Sequence, residues 1–428
     1  MIRKIEIKNY RIIRNLNQEL RPFNILIGPN ATGKSTFLDT ISLVRDILND
    51  GLESAIIEKR APSFSDLLWD KKDPTIKVSL ELDLPEKIRK IYQERSLPAY
   101  VRSRYELRIG HSVENEELRI LEETLWLLTS KTVEIGTKPS LFQKNGLENL
   151  LVPPPAVSEG KRRRAGSKKV ITKTIESGND YYFNETTGYS YNTYSKSGLT
   201  KSALANLQED EKKFPGALWT KHKLKEGIQV LTLNSLVMRR PCHPGKKHAF
   251  EMDGSNLPII IRDLRKKSLK RFKDWISHLQ TALPFLQNIR IKIRAEDRFL
   301  YISINDKNNR TIPSWVLSDG TLRILALTLL AYLPDNEGIY LIEEPENGVH
   351  PLAIEPIYQS LSSVYNGQVL VATHSPVFLS VAKLDEILCF SRMETGEMQI
   401  IKGTEHPALR EWKGTPNLQI LYASGVLG

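Results

Sequence analysis

The sequence predicts an α/β fold, and three features carry that reading. A strand–loop–helix unit lies close to the N-terminus, two short apolar strands ending in polar residues lie near the C-terminus, and a run of alternating strands separates them. The first unit is Gly28-Pro29-Asn30-Ala31-Thr32-Gly33-Lys34-Ser35, which fits the pattern G-x-x-x-x-G-K-[ST] in full. Residues 23–27 before it read as a buried strand, and Phe37, Leu38, Ile41, Leu43, Val44, Ile47 and Leu48 after it recur at helical spacing. The glycines let the backbone curl so that N–H groups converge on phosphate oxygens, and the helix N-terminus adds the positive end of its dipole. Lys34 is then placed to reach the β- and γ-phosphates of ATP, and the Ser35 hydroxyl to hold Mg²⁺. Thr36, next in the chain, completes the nucleotide-binding set.

The remaining elements follow in order. Residues 2–8 alternate apolar and charged side chains and pair with residues 12–20 as a hairpin that turns at Tyr10-Arg11. The loop helix is expected over residues 37–59, ending at Gly51 or near Pro62. Alternation at residues 75–84, 105–109 and 118–128 predicts an antiparallel lobe. Residues 152–169 are rich in Pro, Ser, Gly and basic side chains and cannot bury apolar area, so an exposed, mobile loop is expected. Its Lys161, Arg162, Arg163, Arg164, Lys168 and Lys169 suit a nucleic acid or an acidic partner surface, or form a plain solvated linker. Short β pieces rich in Thr and Tyr return at 170–194, where cross-strand packing explains the tyrosines better than base stacking does. Helices are expected at 200–213 and 258–283, the second amphipathic through Ile261, Leu264, Leu269, Phe272, Ile276 and Leu279. Residues 289–293 and 299–304 form a further hairpin.

The C-terminal part supplies the second half of a nucleotide site. Ile339-Tyr340-Leu341-Ile342-Glu343-Glu344 is an apolar strand ending in two carboxylates, the form in which a sheet delivers acids to the edge that carries the phosphate loop. Glu343 is placed to reach Mg²⁺, and Glu344 to polarise the attacking water as general base. Residues 369–372 form another core strand, ending in Thr373-His374-Ser375-Pro376, which puts an imidazole where a γ-phosphate sensor is wanted. Leu317-Ser318-Asp319-Gly320-Thr321 opens a helix and offers a second anion-binding turn. One nucleotide wrapped by residues 28–35 cannot use that turn, so the useful geometry is a head-to-tail dimer.

Composition narrows the class. The chain has 428 residues, 40% apolar and 26% charged, with a net charge of +11 and a pI near 9.3. A basic balance favours a polyanionic partner. Further basic clusters stand at Arg239-Arg240 with Lys246 and Lys247, and at Arg265-Lys266-Lys267 with Lys270, Arg271 and Lys273. Cys242 and Cys389 have no paired spacing, so neither a disulfide framework nor a zinc site is indicated. No apolar run approaches the roughly eighteen residues of a membrane span, and the N-terminus is a strand pattern rather than a signal peptide, so a cytoplasmic location without membrane partners is expected.

These motifs together resemble the ABC-type ATPases of the SMC/RecF-like branch, and within it the stand-alone AAA-21 or OLD-like ATPases of bacterial anti-phage defence. The matching residues are 28–35, 317–321, Glu343-Glu344-Pro345-Glu346-Asn347-Gly348-Val349-His350-Pro351 and Thr373-His374-Ser375-Pro376, with Asp253-Gly254-Ser255-Asn256-Leu257-Pro258 as a further family feature. The resemblance is specific over residues 1–50 and 250–390 and weak between them. It implies an ABC-type P-loop head made of residues 1–60 and 315–428, with 61–314 as an inserted β lobe and helical subdomain. It also implies that Ser318, Asp319 and Gly320 act in trans on the partner's nucleotide, that residues 347–351 line the dimer interface, and that Arg11 lies near the adenine or α-phosphate. The implied function is a slow, dimeric, Mg²⁺-dependent ATP hydrolase that senses or scaffolds for a separate effector, a Toprim or other nuclease or a toxin. The alternative is a RecF-like DNA-repair ATPase that clamps DNA directly. Two departures stand out: Glu343 occupies a position where most ABC ATPases have Asp, and no Gln lies between Ser35 and Gln93 to act as the usual metal ligand. The scattered acids after His374, including Glu394, Glu397 and Glu411, give no strand-end cluster for two metals, so no effector active site is expected in this chain.

Overall fold

The computed structural model describes residues 1–111, 117–137, 167–174, 179–187, 192–195, 198–334, 336–410 and 418–423. Contacts divide the chain into two compact units, residues 1–21, 36–228 and 392–399 in the first and residues 22–35, 229–391 and 400–428 in the second.

The first unit is built on an eight-stranded antiparallel sheet. Its spatial order is Ile13–Glu19, Ile2–Tyr10, Thr75–Asp83, Tyr100–His111, Leu118–Thr129, Ser167–Thr174, Asp180–Phe183 and Asn192–Ser195. The period-2 alternation read from the sequence fixes its register. Ile5, Leu80, Tyr105 and Leu125 are successive cross-strand partners and all are buried, so they form one apolar row. The predicted first hairpin forms, and Asn9 and Arg11 turn it with φ of 62° and 51°. On the other face Arg104 is buried against Glu81 at 2.9 Å and Glu106 at 2.6 Å, with Glu6 as a third partner.

Three expectations are corrected in this unit. Residues 200–213 are not helical, because their backbone donors are taken elsewhere. The buried Glu123 carboxylate accepts from Ser202 Oγ at 2.6 Å, Ala203 N at 2.7 Å and Leu204 N at 2.9 Å, which holds the chain in a turn there. The helix comes afterwards, at Pro215–Lys225, where Glu185 accepts from Gly216 N and Ala217 N, both at 2.8 Å. The expected loop at 152–169 is a strand from Ser167 onward, and its residues 152–166 lie outside the described residues. The loop helix spans Lys34–Asp50 and stops at Gly51, whose φ is +86°; one π-helical turn, Ser54–Glu58, follows.

The second unit holds a six-stranded sheet in the order Ile228–Leu231, Ile339–Glu343, Gln368–Ala372, Phe23–Ile27, Ile387–Arg392 and Met398–Lys402, its four central strands parallel. Phe23–Ile27 and Gln368–Ala372 are buried at every position, as expected of parallel strands covered on both faces. Helices Leu257–Lys267, Leu269–Ala282, Asp319–Leu329 and Ile354–Ser362 supply much of the apolar core against this sheet. The segment expected as one helix over 258–283 is two, because Ser268 leaves helical geometry and caps the second through Arg271 N. Trp275 is fully buried and its indole N–H donates to Thr328 Oγ1 at 3.0 Å, tying the second helix to Asp319–Leu329. The predicted late hairpin gains a third strand, in the order Leu286–Ile293, Leu300–Asp306 and Thr311–Pro313. No helix among the described residues is long and apolar enough to cross a membrane.

Candidate functional site

Parallel register brings the polar residues together. Leu26, Ala372 and Glu343 are partners across three adjacent strands, so the chain leaves all three at the same level of the same sheet edge. Directly beyond that row come Thr373 and Glu344, and, one residue after Ile27, Gly28. Gly28 is demanded by packing: its φ is +144°, and a Cβ there would lie 2.2 Å from Phe390 O on the neighbouring strand.

Within the loop, Pro29, Asn30, Ala31 and Ser35 are exposed, while Thr32, Gly33 and Lys34 are buried. Ala31 has a left-handed φ of 61°, and Thr32 Oγ1 donates to Pro29 O at 2.8 Å. Lys34 Nζ curls back and donates to Gly28 O at 2.7 Å and Pro29 O at 2.8 Å. Burial pushes this ammonium down to about 8, against the pull of Glu343 and Glu344. An anion in the loop would offer it an oppositely charged partner in place of two neutral carbonyls.

Ser35 Oγ donates to Glu343 Oε2 at 2.9 Å. A hydroxyl and a carboxylate thus share one point at the mouth of the loop, both hard oxygen donors of the kind Mg²⁺ takes. Glu344 has a left-handed φ of 48°, uncommon outside glycine, and its carboxylate is held by Asn347 Nδ2. His374 is half-buried; burial first, and the Lys34 ammonium next, lower its affinity for a second proton, while Glu344 and Glu346 oppose them.

The turn expected to bind an anion is also in this unit. Ser318 caps Asp319–Leu329, its Oγ accepting from Thr321 N at 3.2 Å, and both Ser318 and Asp319 are exposed. Gly320 lies against the loop after the carboxylates, where a Cβ would stand 2.5 Å from Gly348 O. Arg239, read from the sequence as part of a free basic cluster, instead pairs with Asp319 and donates from Nε to Leu317 O at 3.0 Å. Asn256 in the 253–258 stretch is buried, donating to Lys247 O and Ala249 O and accepting from Glu251 N at 3.0 Å, so it holds a turn.

The other site residues lie in the first unit or beyond the described residues. Arg11 pairs with Asp39 at 3.2 Å, and Thr36 O accepts from Thr40 Oγ1 at 3.0 Å. Lys168 Nζ donates to Glu185 O at 3.0 Å and Lys169 Nζ sits 4.8 Å from the Trp126 ring centroid, both on strand Ser167–Thr174. Lys161, Arg162, Arg163 and Arg164 lie outside the described residues. Among those described, no group of three or more His, Cys, Asp or Glu side chains could hold a metal ion, and both cysteines are free and buried.

Sequence reasoning gave Glu346 no role of its own, read Arg239 as part of a basic cluster, and missed Tyr422. Glu346 Oε1 accepts from Thr373 Oγ1 and from His374 N at 3.2 Å; Tyr422 Oη lies 3.3 Å from His374 Nδ1. The conspicuous Glu-Glu-Pro-Glu run pointed at Glu346, but no local pattern marks Tyr422, 48 residues beyond the histidine.

The family described as "AAA domain, putative AbiEii toxin, Type IV TA system" (AAA_21) matches residues 23–127 and 138–380. No curated protein sequence matches. Among solved structures, an Smc head bound to the C-terminal winged-helix domain of ScpA aligns at 13% identity and a TM-score of 0.53, covering 94% of this chain and 97% of that one. An Smc head from Pyrococcus furiosus with an extended coiled coil, bound to the C-terminal domain of ScpA, aligns at 12% identity and a TM-score of 0.50, covering 94% and 95%.

Proposed function

From the premise that this chain belongs to the AAA_21 family of AAA domains and has the fold of SMC head ATPases, we propose that it binds and hydrolyses ATP in a site completed by a second copy. The observation that carries the proposal is the register that sets Gly28 to Ser35, Glu343, Glu344 and His374 on one sheet edge. The N–H groups of residues 28–35 wrap the phosphates, and Lys34 leaves its two carbonyls for the β- and γ-phosphates. Ser35 and Glu343 would hold Mg²⁺, which supplies charge neutralisation at the phosphates. Glu344 acts as general base on the attacking water.

Ser318, Asp319 and Gly320 form an anion-binding turn, exposed at Ser318 and Asp319, that the chain's own nucleotide does not need. Two copies placed head to tail give each turn a γ-phosphate to bind, so ATP closes the dimer and hydrolysis reopens it. Residues 1–60 and 315–428 provide the head's motifs and 61–314 the inserted β and helical part. The movement controls a separate effector, a nuclease or toxin, in bacterial anti-phage defence. Support for a separate protein partner is that both aligned Smc heads are bound to a ScpA domain.

Glu344→Gln tests the composite site, since it removes the base while keeping an oxygen for Asn347. Light scattering should read a doubled mass for this variant with ATP and the monomer mass without it. A monomer mass at saturating ATP refutes closure between copies.

A further inference from the structure

His374 is tied to the phosphate loop through one phenol. Tyr422 Oη stands 3.2 Å from Gly28 O and 3.3 Å from His374 Nδ1. A phenol carries a single proton, and a carbonyl oxygen can only accept. With the proton committed to Gly28 O, the phenolic oxygen presents lone pairs to the imidazole, and the ring must meet it with an N–H. The placement is firm: the neighbouring Leu421 is buried in the core of the unit, which anchors helix Leu418–Ala423. Glu346 fixes the other side of His374 by accepting from its backbone N–H at 3.2 Å.

We infer that Tyr422 is the positioning residue of His374: it fixes the imidazole with its proton on Nδ1 and leaves Nε2 as a bare acceptor. A bare ring nitrogen cannot donate to a phosphate oxygen. It can take a hydrogen bond from the water that Glu344 polarises, so His374 serves the nucleophile rather than sensing the γ-phosphate. The inference rests on the ATPase reading and assigns a task within it. Burial and the Lys34 ammonium work in the same direction by keeping the ring neutral, with Glu344 and Glu346 opposing. The second consequence is mechanical. Because Gly28 O accepts from both Tyr422 and Lys34, a change at the loop reaches His374 through one shared carbonyl.

The test uses the full chain with ¹⁵N-labelled histidine, of which there are 8, and the His374→Asn spectrum to assign the signal. The nucleotide-free wild type should show His374 as the Nδ1–H tautomer, and Tyr422→Phe should move it towards Nε2–H. The same variant should lose about ten-fold in kcat while its Kd for ATP, measured by calorimetry, stays unchanged, the effect of one lost orienting hydrogen bond. A wild type with its proton on Nε2, or a phenylalanine variant with an unmoved tautomer, overturns the assignment. Failure of the hydrolase reading shows separately, as no turnover by the wild type. The tautomer is read without nucleotide and decides the role of Tyr422 in either case.

Discussion

Replacing Lys34 by Met should stabilise the nucleotide-free protein while abolishing its response to ATP. Lys34 is 6% exposed, and burial lowers its ammonium from 10.5 to about 8. That depression corresponds to about 3 kcal/mol of folding free energy lost by holding the charge in the loop. The sign follows from proton counting. Between pH 8 and 10.5 the unfolded chain binds more protons at this group than the folded one, so stability rises with pH across that window. Below about pH 8 the full penalty is present. Methionine has nearly the same length and no charge, and its introduction leaves neither carbonyl orphaned: Gly28 O keeps Tyr422 Oη at 3.2 Å, and Pro29 O keeps Thr32 Oγ1 at 2.8 Å. Subtracting two lost hydrogen bonds of about 1 kcal/mol each leaves a gain of about 1 kcal/mol at pH 7. Urea unfolding at pH 7 and pH 10, with and without ATP, measures it. The variant should have the higher midpoint without ATP at pH 7, and its advantage should shrink at pH 10. With ATP at a hundred times its Kd, the wild type should gain about 2.7 kcal/mol and the variant nothing, reversing the order. A variant that is less stable than the wild type at pH 7 without nucleotide, or equally advantaged at both pH values, refutes the reasoning.

Two further substitutions separate the loop from the turn at Ser318 and Gly320. Gly28→Ala meets Phe390 O at 2.2 Å and a φ of +144°, so it should cost on the order of 1–3 kcal/mol in urea unfolding and remove ATP binding; unchanged stability would mean that the strand Ile387–Arg392 gives way freely. Arg239→Ala releases the turn before Asp319–Leu329, so in the Glu344→Gln background it should weaken ATP-driven dimerisation in sedimentation while calorimetric ATP binding by each protomer is kept. Dimerisation of undiminished strength would show that Ser318 and Gly320 need no support from this arginine.

The sequence by itself determined the elements whose signal is local. The phosphate loop needs glycine, lysine and serine at fixed spacing, and the apolar runs at 339–342 and 369–372 have no position to spare for solvent, so both were legible before any contact was known. Alternation at residues 75–84 and 118–128 likewise stated its sheet, because one face had to be buried. Tertiary structure decided what depends on a distant partner. Residues 200–213 have a helical composition, yet a buried carboxylate 79 residues earlier in the chain captures their donors. Residues 258–283 look like one amphipathic helix, yet Ser268 divides them to turn a second face inward. Arg239 reads as a free cation until Asp319 and Leu317 O are brought beside it, and Tyr422 acquires a role only when folding sets its phenol between Gly28 and His374. Periodicity records which face of an element is apolar. It does not record which polar group, tens or hundreds of residues away, will meet a buried donor, because that pairing is fixed by sheet register and helix docking rather than by neighbours in the chain.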